Sequence, residues 1–251
     1  MKRNWTRDEL LVCFNFYCRT PFSKLDSRNA DVIQLAKLIN RTPGAVAMKA
    51  VNFASFDPAH QKRGVRGLKH AGPTAEKIWK EFNAVPNQLA QESEEAALRL
   101  GGLVIEPLEE QVEIPSGPTE KDLIRPMRLV QDFFRRSVKA SYRFTCAFCG
   151  LNIPALLTAS HIIPWKVSVE LRADPRNGLC LCALHDRAFD RGLMAVDADR
   201  RMVLSSRLKL KAEIPLHKAA FLDLKGREII LPEKFMPGPQ SLHYHWKSIF
   251  R

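Results

Sequence analysis

Residues 142–197 read YRFTCAFCGLNIPALLTASHIIPWKVSVELRADPRNGLCLCALHDRAFDRGLMAVD. Polar side chains are sparse against this apolar background, and three places stand out. They are His161 after the run LLTAS, Asn177 in a turn before GLCLC, and the pair His185-Asp186 in ALHDRAFD. Short apolar runs bounded by Pro, Asn and Gly predict strands, and the segment after them reads as a helix. A two-stranded ribbon followed by a helix would bring all three polar positions together.

Such an arrangement suits phosphodiester hydrolysis, which needs a base to activate water and a cation to stabilise the leaving oxygen. A neutral His on a strand can be the base. Polar side chains on the facing helix can hold one hard divalent ion, which keeps several waters and needs few protein ligands. An Asn between them can bond across the loop and fix the His.

The motifs SHIIPW (160–165), NGLCL (177–181) and LHDRAFDRGL (184–193) occur in an order that resembles the HNH, or ββα-metal, endonucleases, and the resemblance covers roughly residues 119–251. It implies a general base at His161, the middle Asn at Asn177, and His185 as a third candidate. Metal ligands in that family stand nine positions after the Asn and again four later, here Asp186 and Asp190. Residues four apart share a helical face. His185 would join them only if the turn before it were reshaped. Ser160 departs from the family pattern, because many members carry Asp or His there as a ligand. The implied cofactor is Mg²⁺ or Mn²⁺, and Arg172, Arg176 or Arg187 could steady the phosphate.

Cys146 and Cys149 form a C-x-x-C knuckle, and Cys182 and His185 a C-x-x-H pair. Together they could make a tetrahedral Cys₃His site for a structural Zn²⁺. Close relatives of the subgroup often lack these cysteines, so this is a feature of the sequence itself. Two other readings stay open: two buried thiol pairs, or His185 on the catalytic metal. Cys180 alternates with Cys182 in an apolar stretch and reads as core.

The chain has 251 residues, 45% of them hydrophobic, and a net charge of +12. Residues 1–86 carry 15 Lys+Arg against 7 Asp+Glu, residues 87–122 carry 2 against 9, and residues 123–251 carry 22 against 11. Two basic blocks flanking an acidic one suit two surfaces that meet a polyanion. No run of about 18 apolar residues predicts a membrane span. MKRNWTRDEL has no apolar run after its charges, and six cysteines in a chain this long do not suggest a disulfide framework. A cytoplasmic setting is expected.

The expected fold class is α+β with three parts: a helical, helix-turn-helix or winged-helix-like DNA-recognition domain (1–86), an acidic Pro/Glu-rich linker (87–118) that holds an acidic helix, QESEEAALRL, at its start, and a nuclease domain (119–251). Helices are predicted from Asn4 or the Thr6/Glu9 capping box, from Asn29 or Ser27, and from Thr42 with Pro43 in its first turn. LAKLINRTPGAVAMK resembles tri-helical DNA-binding modules. Arg41, Lys49 and Asn52 would then reach phosphates or bases, with Lys62, Arg63 and Arg66 in a basic loop. An approach helix over 119–142 is predicted to bury Leu129, Phe133, Phe134 and Val138 and to turn Arg135, Arg136 and Lys139 outward, while Arg176 and Arg187 add positive charge near the motif. The partner expected is double-stranded DNA. Domain architecture adds the expectation that 5-methylcytosine is read, and a single ββα site cutting both strands implies a homodimer. A regulator with a degenerate nuclease fold, or a homing nuclease, are the alternatives.

Overall fold

Thr6 and Glu9 close a reciprocal cap. The Glu9 amide donates to Thr6 Oγ1 (3.3 Å) and the Thr6 amide to Glu9 Oε2 (2.9 Å), which starts α1 (Arg7–Arg19). The computed structural model describes residues 3–65, 73–100 and 121–251, with the backbone alone over 121–125. After α1, the Asn29 side chain accepts from the Asp31 amide (2.8 Å) and caps α2 (Ala30–Leu38). The chain turns through Asn40 at φ 51°. Thr42 then accepts from the Ala45 amide (3.2 Å), with Pro43 opening α3 (Pro43–Ala54). Proline fits a first turn because its missing N–H would have no helical partner there. The helices α4 (Pro58–Lys62), α5 (Pro73–Ala84), α6 (Pro86–Arg99) and α7 (Lys121–Ser141) follow.

The chain divides into two compact units, Met1–Ser137 and Val138–Arg251, so the boundary falls within α7. In the first unit α1 is buried almost all round, because α3, α5 and α6 all pack on it. Phe14 lies at its centre, with ring centroids 5.3 Å from Phe53, 5.0 Å from Phe82 and 6.5 Å from Phe133. A buried polar network ties α1 to α6. Asn15 Nδ2 donates to Ser93 Oγ (2.7 Å) and Glu94 Oε1 (3.0 Å), and Arg19 pairs with Glu94.

Two expectations change here. Residues 87–99 do not begin a linker. They form most of α6, whose Leu89, Ala90, Ser93 and Ala96 are buried in the first unit. Most of the expected linker, 101–120, lies outside the described residues. The approach helix also contributes Phe133 to the first unit's aromatic core, 5.9 Å from Phe82, and Lys139 is buried rather than outward.

In the second unit, β1 (Leu157–His161) pairs antiparallel with β2 (Gly178–Cys182), matching Leu157 to Cys182 and His161 to Gly178. Without a break α8 (Ala183–Asp190) follows and packs on both strands. A hairpin of β3 (Met194–Val196) and β4 (Met202–Leu204) turns through Arg200 at φ 61°. The short α9 (Pro215–Ala220) and the terminal α10 (Pro239–Ser248) complete the unit. The α+β class holds: a helical N-terminal region and a small ribbon-and-helix core toward the C-terminus.

The end of α10 is locked onto the end of α8. His245 is buried, its ring stacks on Phe189 at 3.6 Å and 7°, and its Nε2–H donates to the Phe189 carbonyl (3.0 Å). Gly192, at φ +65°, lies so close to the Ile249 carbonyl that a methyl group would overlap it. Burial depresses His245 to about 4, against the lift from the Phe189 carbonyl. The unfolded chain takes up this proton below pH ~6.5, whereas the folded chain does so only near the depressed value. Stability from this group is therefore complete above pH ~6.5 and declines as pH falls toward 4, by about 2–4 kcal/mol. Urea unfolding across that window should show the slope, and His245→Gln should flatten it relative to the parent.

Candidate active site and metal cluster

His161 ends β1, and its partly shielded ring is held from two sides. Nε2 lies 3.0 Å from the Arg172 carbonyl. A carbonyl only accepts, so the neutral ring carries its proton on Nε2 and Nδ1 becomes the basic nitrogen. Trp165 meets the ring edge-on at 5.5 Å and 81°. Arg172 in turn donates from Nε to the Trp165 carbonyl (3.1 Å) and lays its guanidinium 4.8 Å over the Trp165 ring. The side chain of Arg172 is thus committed to Trp165, while its backbone orients the base. Trp165 had no role in the sequence reading; its place four residues after His161 in SHIIPW was the available signal.

Asn177 is buried and clamps the loop between the strands. Its Oδ1 accepts from the Ile163 amide (2.9 Å), and its Nδ2 donates to the Ile163 carbonyl (3.0 Å). The Ile162 amide donates to the Asn177 carbonyl (2.9 Å). Two side-chain bonds to the backbone N–H and C=O of Ile163 fix the chain two residues beyond His161, which orients the histidine without touching it.

Asp186 and Asp190 lie one turn apart on α8. Although it is on the exposed side of the helix, Asp190 is shielded enough for burial to raise its carboxyl, against the lowering influence of Arg187, Arg191 and the Ser160 hydroxyl. That hydroxyl, beside His161 on β1, is close enough to affect the carboxyl, yet is buried without a well-formed hydrogen bond. An underserved oxygen beside a carboxyl of raised pKa fits a hard cation, which would satisfy both. Asp190 and Asp186 would hold it, and waters would complete the shell.

His185 goes elsewhere. Its Nδ1 is 3.2 Å from Cys182 Sγ and 3.7 Å from Cys146 Sγ, and its Nε2–H donates to the Ala220 carbonyl (2.8 Å). Cys149 Sγ is 4.0 Å from Cys182 Sγ. The four ligand atoms of Cys146, Cys149, Cys182 and His185 all lie within 4.8 Å of one another. The structure therefore brings His185 into the cysteine cluster and not to His161, because position eight after Asn177 faces the knuckle. Burial opposes a charge on His185, but the Cys146 and Cys182 thiols outweigh it and push the ring up to about 10. Contacts from Cys146 and Cys149 favour the Cys182 thiolate. Cys180 is buried, as expected of core, and burial raises its thiol to about 12.

The expected DNA contacts separate into two groups. Lys49 and Asn52 are buried on the inner side of α3, so neither can reach a groove. The ammonium of Lys49 rides 4.8 Å over Trp5, and burial lowers its pKa. Arg41 is held by Glu9 (2.8 Å), by the carbonyls of Arg3 (2.7 Å) and Asn4 (2.6 Å), and against Trp5 (4.6 Å). It closes the start of α1 and does not project. The exposed side of α3 carries Gly44 and Met48, both uncharged. Lys62, Arg63 and Arg187 are exposed, Arg135 is half-buried, and Arg66 lies outside the described residues. Burial lowers the pKa of Arg136. Arg176 is paired with Asp174 at 2.8 Å.

Among the described residues, no helix is long and apolar enough to cross a membrane. No curated protein matches the chain. Residues 146–197, which span the knuckle, the β1–β2 ribbon and α8, match the family model described as HNH endonuclease, and this match supports the HNH family for the segment that its three motifs resemble.

Proposed function

We propose that this protein is a metal-dependent DNA endonuclease. The observation that carries the reading is the held His161, whose Nε2–H is taken by the Arg172 carbonyl and whose Nδ1 is thereby the base. In this scheme His161 Nδ1 takes a proton from water as its oxygen attacks phosphorus, and the P–O3′ bond breaks. Asn177 keeps the 162–163 backbone, and so the histidine, in place. A Mg²⁺ or Mn²⁺ held by Asp186 and Asp190 would supply charge stabilisation to the scissile phosphate and the leaving oxygen. Arg187, exposed on α8 beside Asp186, is the arginine best placed to meet phosphate.

Restriction is the biological role proposed, with the helical N-terminal unit as the recognition module and 5-methylcytosine as the feature read. The helix-turn-helix reading rests on the capped α2–turn–α3 arrangement. Since Arg41, Lys49 and Asn52 are internal, a groove contact by α3 would use its uncharged side. Apolar contact is also how a cytosine methyl group is sensed. Phosphate contacts would fall to Lys62 and Arg63. Cutting both strands would take a homodimer, and a cytoplasmic setting suits all of this.

Cleavage of matched plasmids with and without 5-methylcytosine, in Mg²⁺ or Mn²⁺, tests the proposal. Cutting of the methylated plasmid alone supports the whole reading. Cutting of both keeps the nuclease and removes the methyl reader. Cutting of neither, with DNA still bound, moves the assignment to a DNA-binding regulator with a degenerate core, a reading that Ser160, in place of a ligand, favours.

A further inference from the structure

We propose that His245 is a positioning residue for the metal side of the nuclease centre: through the Phe189 peptide it holds the last turn of α8, so that Asp190 stays beside Ser160. The inference rests on the nuclease reading above. It adds a residue 56 positions from Phe189 and outside the segment 146–197 that matches the family model.

The requirement comes from where Asp190 stands. It is the last residue of α8. Helix ends fray, and the C-terminal turn is the negative pole of the helix, so a carboxylate there is disfavoured. The final carbonyls also lack partners inside the helix. A metal ligand at this position needs support from elsewhere in the fold.

The helix first closes on itself. Gly192, at φ +65°, donates its amide to the Phe189 carbonyl (2.9 Å), and the Leu193 amide donates to the Ala188 carbonyl (2.9 Å). This paired closure takes a left-handed residue, which suits glycine. Residues 245–251 then grip the closed turn. His245 Nε2–H donates to the same Phe189 carbonyl (3.0 Å), and its ring stacks on the Phe189 ring at 3.6 Å and 7°. The Ile249 carbonyl lies against Gly192, where any side chain would overlap it. The Arg251 amide donates to the Gly192 carbonyl (3.1 Å), and the Arg251 carbonyl accepts from Ser205 Oγ just after β4.

The chemistry of the ring says which part matters to Asp190. His245 is buried, and its Nδ1 takes no hydrogen bond among the described residues. Burying that lone pair costs free energy, and a phenylalanine would fill the stack without the cost. What imidazole adds is an N–H on the Phe189 carbonyl. That carbonyl shares its peptide plane with the Asp190 nitrogen, so holding it sets the direction in which the Asp190 side chain leaves the helix. Opposite, the Ser160 hydroxyl bears on the Asp190 carboxyl from β1, where Ser160 pairs with Leu179. Asp190 is thus bracketed by the ribbon on one side and by α10 on the other.

The test follows Mn²⁺ in the full-length protein by two readouts: binding, from water-proton relaxation, and the Mn²⁺ dependence of single-turnover plasmid cleavage. His245→Phe keeps the stack and removes the N–H. It should raise both the Mn²⁺ dissociation constant and the Mn²⁺ needed for half-maximal cleavage by about 10-fold, the low end of what losing a partner behind a metal ligand costs. The rate at saturating Mn²⁺ should stay near the parent's, and His245→Gln, which restores a donor, should recover part of the shift. Asp190→Asn should weaken Mn²⁺ binding further, which identifies the ion followed as the one at α8. A merely structural His245 would lower the folded fraction and the maximal rate at an unchanged Mn²⁺ midpoint, and that outcome overturns the proposal. Should His245→Phe fail to fold, Ser205→Ala, which frees the Arg251 carbonyl, makes the same comparison with a smaller expected shift, and an unchanged midpoint overturns the proposal there too. A parent that binds Mn²⁺ and cuts, beside variants with its midpoint, removes this inference and leaves the nuclease. A parent that neither binds nor cuts removes both.

Discussion

His161→Ala lowers metal-dependent plasmid cleavage by about 10²–10⁴-fold, the usual worth of a positioned general base. The ring donates from Nε2 to the Arg172 carbonyl, meets Trp165 edge-on, and is only partly shielded. Its removal therefore leaves the Asn177 clamp and the β1–β2 ribbon in place. Circular dichroism, thermal unfolding and DNA binding should stay near the parent values, and single-turnover cleavage carries the loss. A variant that cuts as fast as the parent would remove His161 as the base. Trp165→Ala should act more weakly and through position: it frees the His161 edge and the Arg172 guanidinium, so part of the loss should return with Trp165→Phe.

Glu94→Ala destabilises the first unit by about 3–5 kcal/mol, the cost of stripping one partner from a buried ion pair. Glu94 answers both Arg19 and Asn15 within the α1–α6 contact, and water cannot replace it there. Domains are stable by only about 5–15 kcal/mol, so urea unfolding of the variant should move to much lower denaturant. Converting Arg19 and Glu94 together to leucine should recover much of the loss, because an apolar pair of similar volume leaves no stranded charge. If Glu94→Ala unfolds like the parent, the network is not what joins these helices.

The local rules carried a long way along this chain. The Thr6/Glu9 capping box, the Asn29 and Thr42 caps and Pro43 each start a helix where the sequence places one. The strand–turn–strand–helix reading of 157–190 holds as well. These features are encoded within a few residues, through hydrogen bonds to neighbouring peptides and through the spacing of apolar side chains, so a one-dimensional reading captures them. The Asn177 bonds across its loop span fourteen positions and were still legible, because the motif order brings the two strand ends together.

Burial was what the sequence left open. Lys49 and Asn52 look like polar residues on a recognition helix, yet both face inward, because α1, α2 and α5 cover α3. A long aliphatic stem lets a lysine lie in such a place with its charge on an indole face. Residues 87–99 read as an acidic helix opening a linker, but Glu94 is drawn into the core by Arg19, 75 positions earlier. His185 could serve either the cysteines or the carboxylates on spacing alone. The choice was made by the Ala220 carbonyl, 35 residues downstream, which holds the ring toward the knuckle. The sequence by itself determined where α1, α2, α3 and the β1–β2–α8 core begin. Tertiary structure alone decided which charges are internal and which cluster His185 joins, because burial and ring orientation depend on partners distant in the chain.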